Sequence, residues 1–331
     1  MAKDPVLAND WQPAAYSHEL TDDPMQVVIL GERIVLFRTS NGIQAFKDLC
    51  IHRGAELSLG KVENDCIVCP YHGWEYNTEG NCVKIPQQPP GRVIPPKAKA
   101  VVYSCTEKYG LIWVKLSASE NPVPEYVEFE DPSFKTVFAN PHTLHAAAPR
   151  VVENFLDVSH LAFVHEGILG DSNYAEIPDY KVHWRENRFV TDEIPVYADA
   201  DGTGNYATIH YTFEILSPTL ARLKKVNYET KEIFSMLFAV RPEEERKSTV
   251  FALVSRNYGF DQPDQYFRDF QQVIIEQDTT VVESQKPEEL PLDLQAELHL
   301  TPDRLSIAYR RWLGELGITF GSEAGRKKVT T

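Results

Sequence analysis

The chain has 331 residues, 43% of them hydrophobic, and a formal net charge of -15. This length allows two domains with substantial cores, and the acidic balance argues against nucleic acid or an anionic membrane surface as the main partner. The five cysteines lack disulfide-rich spacing and the N-terminus lacks an apolar signal segment, so we predict a cytoplasmic protein with reduced thiols that could bind metal.

The residue pattern of the first third of the chain predicts mostly β-structure. β-forming residues fill 26–38, with a break at Gly31-Glu32, and they fill 101–105 and 111–116 on either side of Lys108-Tyr109-Gly110. The proline-rich stretch 86–96 predicts an irregular loop, because proline lacks the backbone donor that a strand needs.

The acidic segment 117–132 contains three prolines and shows little periodicity, which predicts a linker. The first domain is therefore expected at residues 1–120, with its core at about 10–118. A second domain, at 133–331, is expected to be α+β.

Within the second domain, residues 154–165 have a helical pattern, and several β-type runs follow between about 180 and 258. A long helix is predicted over 265–285. A C-terminal helix is predicted over 304–316, with Asp303 as its N-cap and Gly317 at its end.

The first group of metal-binding residues is Cys50-Ile-His52 followed by Cys69-Pro-Tyr-His72. The order Cys, His, Cys, His is the one a Rieske [2Fe-2S] cluster needs, since two cysteines bind one iron and two histidines bind the other. A structural zinc site is the alternative, but common Cys2His2 zinc sites pair cysteine with cysteine and histidine with histidine. The order therefore favours the cluster.

These two motifs, extended to Cys50-Ile-His52-Arg-Gly and Cys69-Pro-Tyr-His72-Gly-Trp74, resemble the Rieske signature of ring-hydroxylating oxygenases. The resemblance implies an N-terminal all-β [2Fe-2S] domain. It also implies a catalytic domain in which helices flank an antiparallel β-sheet.

The second group lies in 154–165, where Asn154, Asp157, His160 and His165 stand among apolar residues. Two histidines and one carboxylate form the facial triad of non-haem iron oxygenases, whereas isolated histidines would fit a core. Five residues of α-helix rotate a side chain by about 140° net. His160 and His165 can therefore bind one ion only if the helix is broken or bulged.

The third ligand is expected from the long helix, which offers Glu276, Asp278 and Glu283. Helical periodicity places Asp278 on the apolar side and the two glutamates on the opposite side. Its apolar neighbours are Phe267, Phe270, Ile274, Val281 and the aliphatic part of Gln285. A carboxylate inside an apolar stripe needs a partner, which favours Asp278 as an iron ligand.

Further motifs extend the resemblance over nearly the whole chain. Residues 153–160 and 276–287 resemble the catalytic-domain motifs of the same family. Together with 167–171 and 306–313, they are most similar to the branch that contains saxitoxin-pathway hydroxylases and caffeine N-demethylases.

The resemblance implies an oxygenase component that receives electrons from a ferredoxin or an NAD(P)H-dependent reductase. With O2 it would hydroxylate or oxidatively demethylate a small cyclic substrate, as a monooxygenase rather than a dioxygenase. It also implies a homotrimer, in which Asp157 connects His160 to His72 of the partner subunit. Asn154 is either a polar support for the iron or an ordinary helix residue.

A Rieske electron-transfer protein without oxygenase activity is the alternative from another functional class. It predicts no second iron site, whereas the oxygenase predicts about three Fe per chain.

Overall fold

The computed structural model describes residues 4–89, 91–199 and 206–323, and it divides into two units, Met1–Val123 and Pro124–Thr331. The predicted linker, 117–132, spans this division, and part of it is folded. Residues Val127–Glu130 form a short helix in the second unit, where the buried Glu128 carboxylate pairs with Arg222. The prediction of an irregular linker is therefore wrong for these residues, because a buried ion pair holds them.

The first unit is built almost entirely of strands. Its described elements are α1 (Pro5–Asn9), β1 (Gln12–Tyr16), β2 (Met25–Ile29), β3 (Glu32–Thr39), β4 (Gly42–Lys47), β5 (Lys61–Glu63), β6 (Cys66–Val68), β7 (Glu75–Tyr76), β8 (Cys82–Lys84), β9 (Val102–Lys108) and β10 (Leu111–Lys115). One antiparallel sheet has the order β1-β10-β9-β4-β3-β2, and a smaller one has the order β5-β6-β7-β8. The predicted all-β domain is confirmed.

Tight turns join the strands at the predicted places. Leu30 and Gly31 have φ angles of 53° and 73° between β2 and β3, and Tyr109 and Gly110 have φ angles of 57° and 71° between β9 and β10. Two consecutive residues with positive φ match the right-handed twist of a hairpin.

One core of the first unit contains the two cysteines of the first motif group. Cys50 and Cys69 pack with Phe37, Phe46 and Tyr76, all nearly inaccessible to solvent. Apolar burial thus anchors the base of both motif loops.

The second unit combines helices with a large antiparallel sheet. Its described elements are α2 (Val127–Glu130), β11 (Lys135–Phe138), β12 (His142–Leu144), α3 (Ala148–Leu156), α4 (Leu161–Val164), β13 (Val182–Arg185), β14 (Arg188–Thr191), β15 (Ile194–Asp199), β16 (Tyr206–Ser217), β17 (Leu220–Val226), β18 (Ile233–Glu244), β19 (Lys247–Arg256), α5 (Asp264–Val282), β20 (Leu290–Pro291), α6 (Arg304–Leu316) and β21 (Ser322–Glu323). The sheet has the order β11-β19-β18-β17-β16-β14-β13, with β12 also paired to β19 and β15 to β16. Strands β20 and β21 pair separately and in parallel.

The helices of the second unit converge on α3. Helix α3 packs on β17, β18 and β19 of the sheet and contacts both α5 and α6. The predicted α+β catalytic domain, with an antiparallel sheet and flanking helices, is confirmed. None of the helices in the described ranges has the length and apolar character needed to cross a membrane.

Two details of the predicted helices are wrong. Asp303 does not cap α6 with its side chain, because its carboxylate accepts a hydrogen bond from the Leu300 amide at 2.7 Å. On α5, Val281 is 40% exposed and Val282 is buried instead, since the apolar side of the helix shifts by one residue near its end. Gly317 ends α6 in the left-handed conformation, as predicted.

Candidate active site

The two motif loops of the first unit have the same backbone hydrogen bonds. The amides of Cys50 and Cys69 each donate to the carbonyl five residues later, at 2.7 and 2.8 Å. Their carbonyls accept from the amides of Gly54 and Gly73, at 2.8 and 3.0 Å. Both glycines have positive φ angles, 74° and 70°, which favours a residue without a side chain.

The four side chains of these loops separate into a sulfur pair and a nitrogen pair. The Cys50 and Cys69 thiols are buried in the same apolar cluster, and neither forms a disulfide. The His52 and His72 rings lie 4.5 Å apart at their centroids and are partly exposed. Two thiols on the buried side and two imidazoles on the outer side agree in type with the donor set of a Rieske cluster.

Two aromatic neighbours complete the first site. The Trp74 ring stacks on His52 at 4.5 Å, and His52 Nδ1 is a buried atom without a hydrogen-bond partner. The Tyr76 hydroxyl lies 3.2 Å from Cys50 Sγ, and burial, followed by this contact, raises the pKa of Tyr76. Sequence reasoning assigned no role to Tyr76, because strand residues of this type are usually core.

In the second unit the chain leaves the helical conformation before the first of the two predicted histidines. Helix α3 ends at Leu156, Asp157 is extended with φ -81° and ψ 120°, and α4 begins after His160. The short helix α4 connects His160 to His165, where the backbone turns away with φ -111° and ψ 32°, and the two ring centroids lie 5.1 Å apart. The helical pattern predicted over 154–165 is interrupted at 157–160, whereas the break or bulge predicted between His160 and His165 is wrong, because α4 lies between them.

Helix α5 brings Asp278 to the two histidines. Asp278 Oδ1 lies 3.1 Å from His165 Nε2 and 3.5 Å from His160 Nε2. One donor atom from each of the three residues lies within 4.8 Å of the other two. Asp278 is buried, whereas Glu276 and Glu283 are exposed, so the structure selects the same carboxylate as the helical periodicity.

A side chain lies beside the outer nitrogen of each imidazole, and it forms a hydrogen bond with His165 but not with His160. His165 Nδ1 lies 2.8 Å from Gln277 Oε1, which can accept a hydrogen bond from it. His160 Nδ1 lies 3.5 Å from Asp157 Oδ2. Contacts of this kind leave Nε2 free to bind an ion and keep the ring in one orientation. Gln277 was missed from the sequence, although it stands next to Asp278.

The amide of Asn154 also approaches this group, with Nδ2 3.5 Å from Asp278 Oδ1. Burial raises the pKa of Asp157, but the neighbouring His160 imidazole outweighs burial and the pKa lies below its usual value. Burial lowers the pKa of His160, and the Asp157 and Asp278 carboxylates outweigh it, so this pKa is raised. The site thus stabilises positive charge between its carboxylates.

A buried ion-pair network fixes the helix that precedes the site. Arg310 of α6 donates to Glu153 of α3 through two nitrogens and to Glu297 through one. Arg150 donates to the same Glu297 at 2.8 Å. Arg310 is 3% exposed and Glu153 is 8% exposed, so the pair holds α3 against α6 in the absence of solvent screening.

A cavity of about 820 Å³, including its open mouth, lies beside His160, His165 and Asp278. Most of its wall is apolar, contributed by residues that include Phe155, Phe213, Leu223, Phe234, Met236 and Phe238. The arrangement can hold a flat apolar molecule next to an ion.

Comparison with protein families agrees with the two units. Residues 10–106 match the Rieske [2Fe-2S] domain, and residues 144–317 match the C-terminal domain of vanillate O-demethylase oxygenase. Methylxanthine N1-demethylase NdmA of Pseudomonas putida is 33% identical over 94% of this chain and 89% of its own length. Methylxanthine N3-demethylase NdmB of the same organism is 31% identical over 98% of this chain and 94% of its own length.

Solved structures show the same architecture. NdmA of Pseudomonas putida CBB5 with caffeine superposes with a TM-score of 0.84 at 31% identity, covering 93% of this chain and 90% of that one. Dicamba monooxygenase, at 22% identity and a TM-score of 0.81, shares the fold over 94% of this chain and 97% of that one.

Proposed function

The chain belongs to the Rieske non-haem iron oxygenases, and we propose that it oxidatively demethylates or hydroxylates a small planar ring compound bound in the apolar cavity. It is the terminal oxygenase component, which uses O2 and electrons from a ferredoxin or an NAD(P)H-dependent reductase. The observation that supports the substrate proposal is the convergence of His160, His165 and Asp278 on one side of that cavity.

The family carries a [2Fe-2S] cluster and a mononuclear iron, and both donor sets fit these groups. We propose that Cys50, Cys69, His52 and His72 hold the cluster. We propose His160, His165 and Asp278 as the ligands of the mononuclear iron. When bound, the cluster supplies electrons and the iron activates O2.

The chain's own residues position the reaction. Asp157 and Gln277 orient the two imidazoles, and Asn154 supports the Asp278 carboxylate from the α3 side. The aromatic wall, including the Phe155 ring stacked on Phe238 at 4.2 Å, offers a flat surface for a ring substrate and excludes water. Methyl groups on such a ring would then face the iron ligands.

Demethylation is the preferred outcome because the two relatives that match most of the chain are named as N-demethylases. Hydroxylation of an N-methyl or O-methyl group yields a product that loses formaldehyde, whereas hydroxylation of the ring does not. Purified enzyme with a reductase should therefore release formaldehyde from a panel of methylated heterocycles. O2 consumption with a hydroxylated product and no formaldehyde would favour ring hydroxylation.

The alternative of a pure electron carrier has no support. It predicts no second metal site, whereas the convergence of His160, His165 and Asp278 beside a cavity supports one. Iron and sulfide analysis distinguishes the two hypotheses. About three Fe and two sulfides per chain are expected for the oxygenase, and about two Fe for the carrier.

We also propose that the protein is a homotrimer, in which Asp157 connects the iron site to His72 of the partner subunit. Light scattering of the purified protein tests the assembly. The cytoplasmic location stays a prediction.

Asp157→Asn tests the role of Asp157. We expect both metal groups to remain bound and product formation to fall by at least about 100-fold, because the amide cannot replace the carboxylate beside His160. Asp269→Asn, on the exposed side of α5, is the control and should retain full activity. Wild-type turnover of Asp157→Asn with full iron loading would contradict this role.

A further inference from the structure

Lys225 is a charged residue in the wall of the mostly apolar cavity, where charged side chains are unusual. It lies on β17, is 5% exposed, and shares a face of the sheet with Leu223, two residues earlier. Its cross-strand neighbours are Tyr211 on β16 and Phe234 on β18. All four side chains line the cavity.

Two aromatic rings keep the ammonium group in place. Lys225 Nζ lies 5.0 Å from the centroid of the Tyr211 ring and 4.8 Å from that of the Phe234 ring. Both distances fall within the range of cation–π contacts. Since an ammonium has three N–H donors, it can bind a ligand oxygen in addition to any protein group.

The positive and the negative side chains of the cavity wall lie at different places. Among the described lining residues, Lys225 is the only lysine or arginine. The two carboxylates of the wall, Asp157 and Asp278, belong to the histidine group instead. An anionic ligand group in this cavity is therefore favoured near Lys225 over the neighbourhood of the carboxylates.

A second cavity, of about 1200 Å³ including its open mouth, adjoins the first one at Lys225. Lys225 and Phe234 line both cavities, whereas His160, His165 and Asp278 line only the first. The ammonium thus lies where the two cavities adjoin. A ligand can place one end at the iron ligands and another at Lys225.

We propose that Lys225 determines substrate specificity by binding an anionic oxygen of the substrate, such as a carboxylate or a ring oxyanion. This inference rests on the proposed function, in which the cavity binds a planar ring. A charge-assisted hydrogen bond in an apolar wall selects strongly for the ionised ligand. The substrate class is therefore an acidic aromatic or heterocyclic compound that is ionised at neutral pH.

Equilibrium binding to the iron-loaded holoenzyme without O2 tests this inference. Two probe pairs differ mainly in charge: para-methoxybenzoate with para-methoxybenzamide, and a trimethylated urate with caffeine. Calorimetry should show tighter binding of the anion in at least one pair, by about tenfold or more. Wild-type enzyme that prefers neither anion overturns the proposal.

Variants at Lys225 separate specificity from folding. Lys225→Met should remove the preference for the anion and leave binding of the neutral probe nearly unchanged, whereas Lys225→Arg should retain most of it. Lys224→Met is the matched control, because Lys224 lies on the other face of β17 and does not line the cavity. Lys225 would be only structural if Lys225→Met lost equal affinity for the anionic and the neutral probe of a pair. The same would follow if Lys224→Met reduced the preference for the anion as much as Lys225→Met does.

The failure of this proposal is distinct from failure of the proposed function. Charge-selective binding that depends on Lys225, without turnover of any methylated ring, would overturn the reaction and leave the specificity assignment in place. Release of formaldehyde from neutral rings, with no dependence on Lys225, would do the opposite.

Discussion

The two proposed metal-binding groups of this protein are assembled in different ways. The four donors of the first unit lie between residues 50 and 72, on two loops with matching hydrogen bonds. The three donors of the second unit lie between residues 160 and 278 and come from the segment around α4 and from α5. The first group depends on local turns, and the second depends on how helices pack.

This difference determines which substitutions should disturb each group. Glycines with positive φ shape the first group, because no other residue adopts that conformation as easily. A buried ion-pair network between α3 and α6 supports the second group from outside it. Changes at the two places should therefore affect the two iron contents separately.

The largest effect is expected for Asp278→Ala. It should lower the iron content from about three to about two per chain and reduce product formation by more than about 100-fold, since one of three ligands is lost. The visible spectrum of the cluster should be unchanged. Glu276→Ala, exposed on the same helix, is the control. If Asp278→Ala retained its third iron, the assembly from distant residues would be disproved.

Arg310→Met should have the next largest effect. Removing Arg310 leaves the buried Glu153 with only Arg150 Nη1, at 3.6 Å, and loss of one partner of a buried ion pair costs about 3–5 kcal/mol. We expect the second unit to unfold at lower denaturant concentration, while the cluster absorbance persists to a higher one. Arg311→Met, at an exposed neighbouring position, should change little. Equal shifts for both variants would mean that the network does not support the site.

Glycine substitutions should give the smallest effects and separate the two groups most clearly. A Cβ on Gly170 would lie 2.7 Å from the Ala162 backbone in α4, so Gly170→Ala should weaken iron binding in the second unit by roughly tenfold. A Cβ on Gly60 would lie 2.0 Å from the Val68 carbonyl oxygen, so Gly60→Ala should perturb the cluster instead. Gly314→Ala, in open space on α6, should be neutral or slightly stabilising. Metal analysis and cluster absorbance of each variant distinguish these outcomes, and loss of both metals from either glycine variant would contradict separate assembly.

Much of the architecture and of the donor sets could be predicted from the sequence. The order of Cys50, His52, Cys69 and His72 is local, and so are the turns at Gly31 and Gly110. The choice of Asp278 over its acidic neighbours followed from helical periodicity, which is also local. The rotation per residue predicted a break or bulge between His160 and His165, but the short helix α4 lies there and the chain breaks before His160 instead.

Only the tertiary structure decided which side chains meet across elements. Gln277 contacts His165, Glu128 contacts Arg222, and Lys225 lies between two aromatic rings of neighbouring strands. None of these pairs has a sequence signature, because strand register and helix packing bring together residues that are far apart in the chain. For the same reason α2 forms in a segment that resembles a linker. Asp303 differs, because its carboxylate accepts from the Leu300 amide only three residues earlier, a local contact that competes with capping of α6. Local backbone preferences are encoded in neighbouring residues, whereas side-chain contacts depend on the packing of the whole unit.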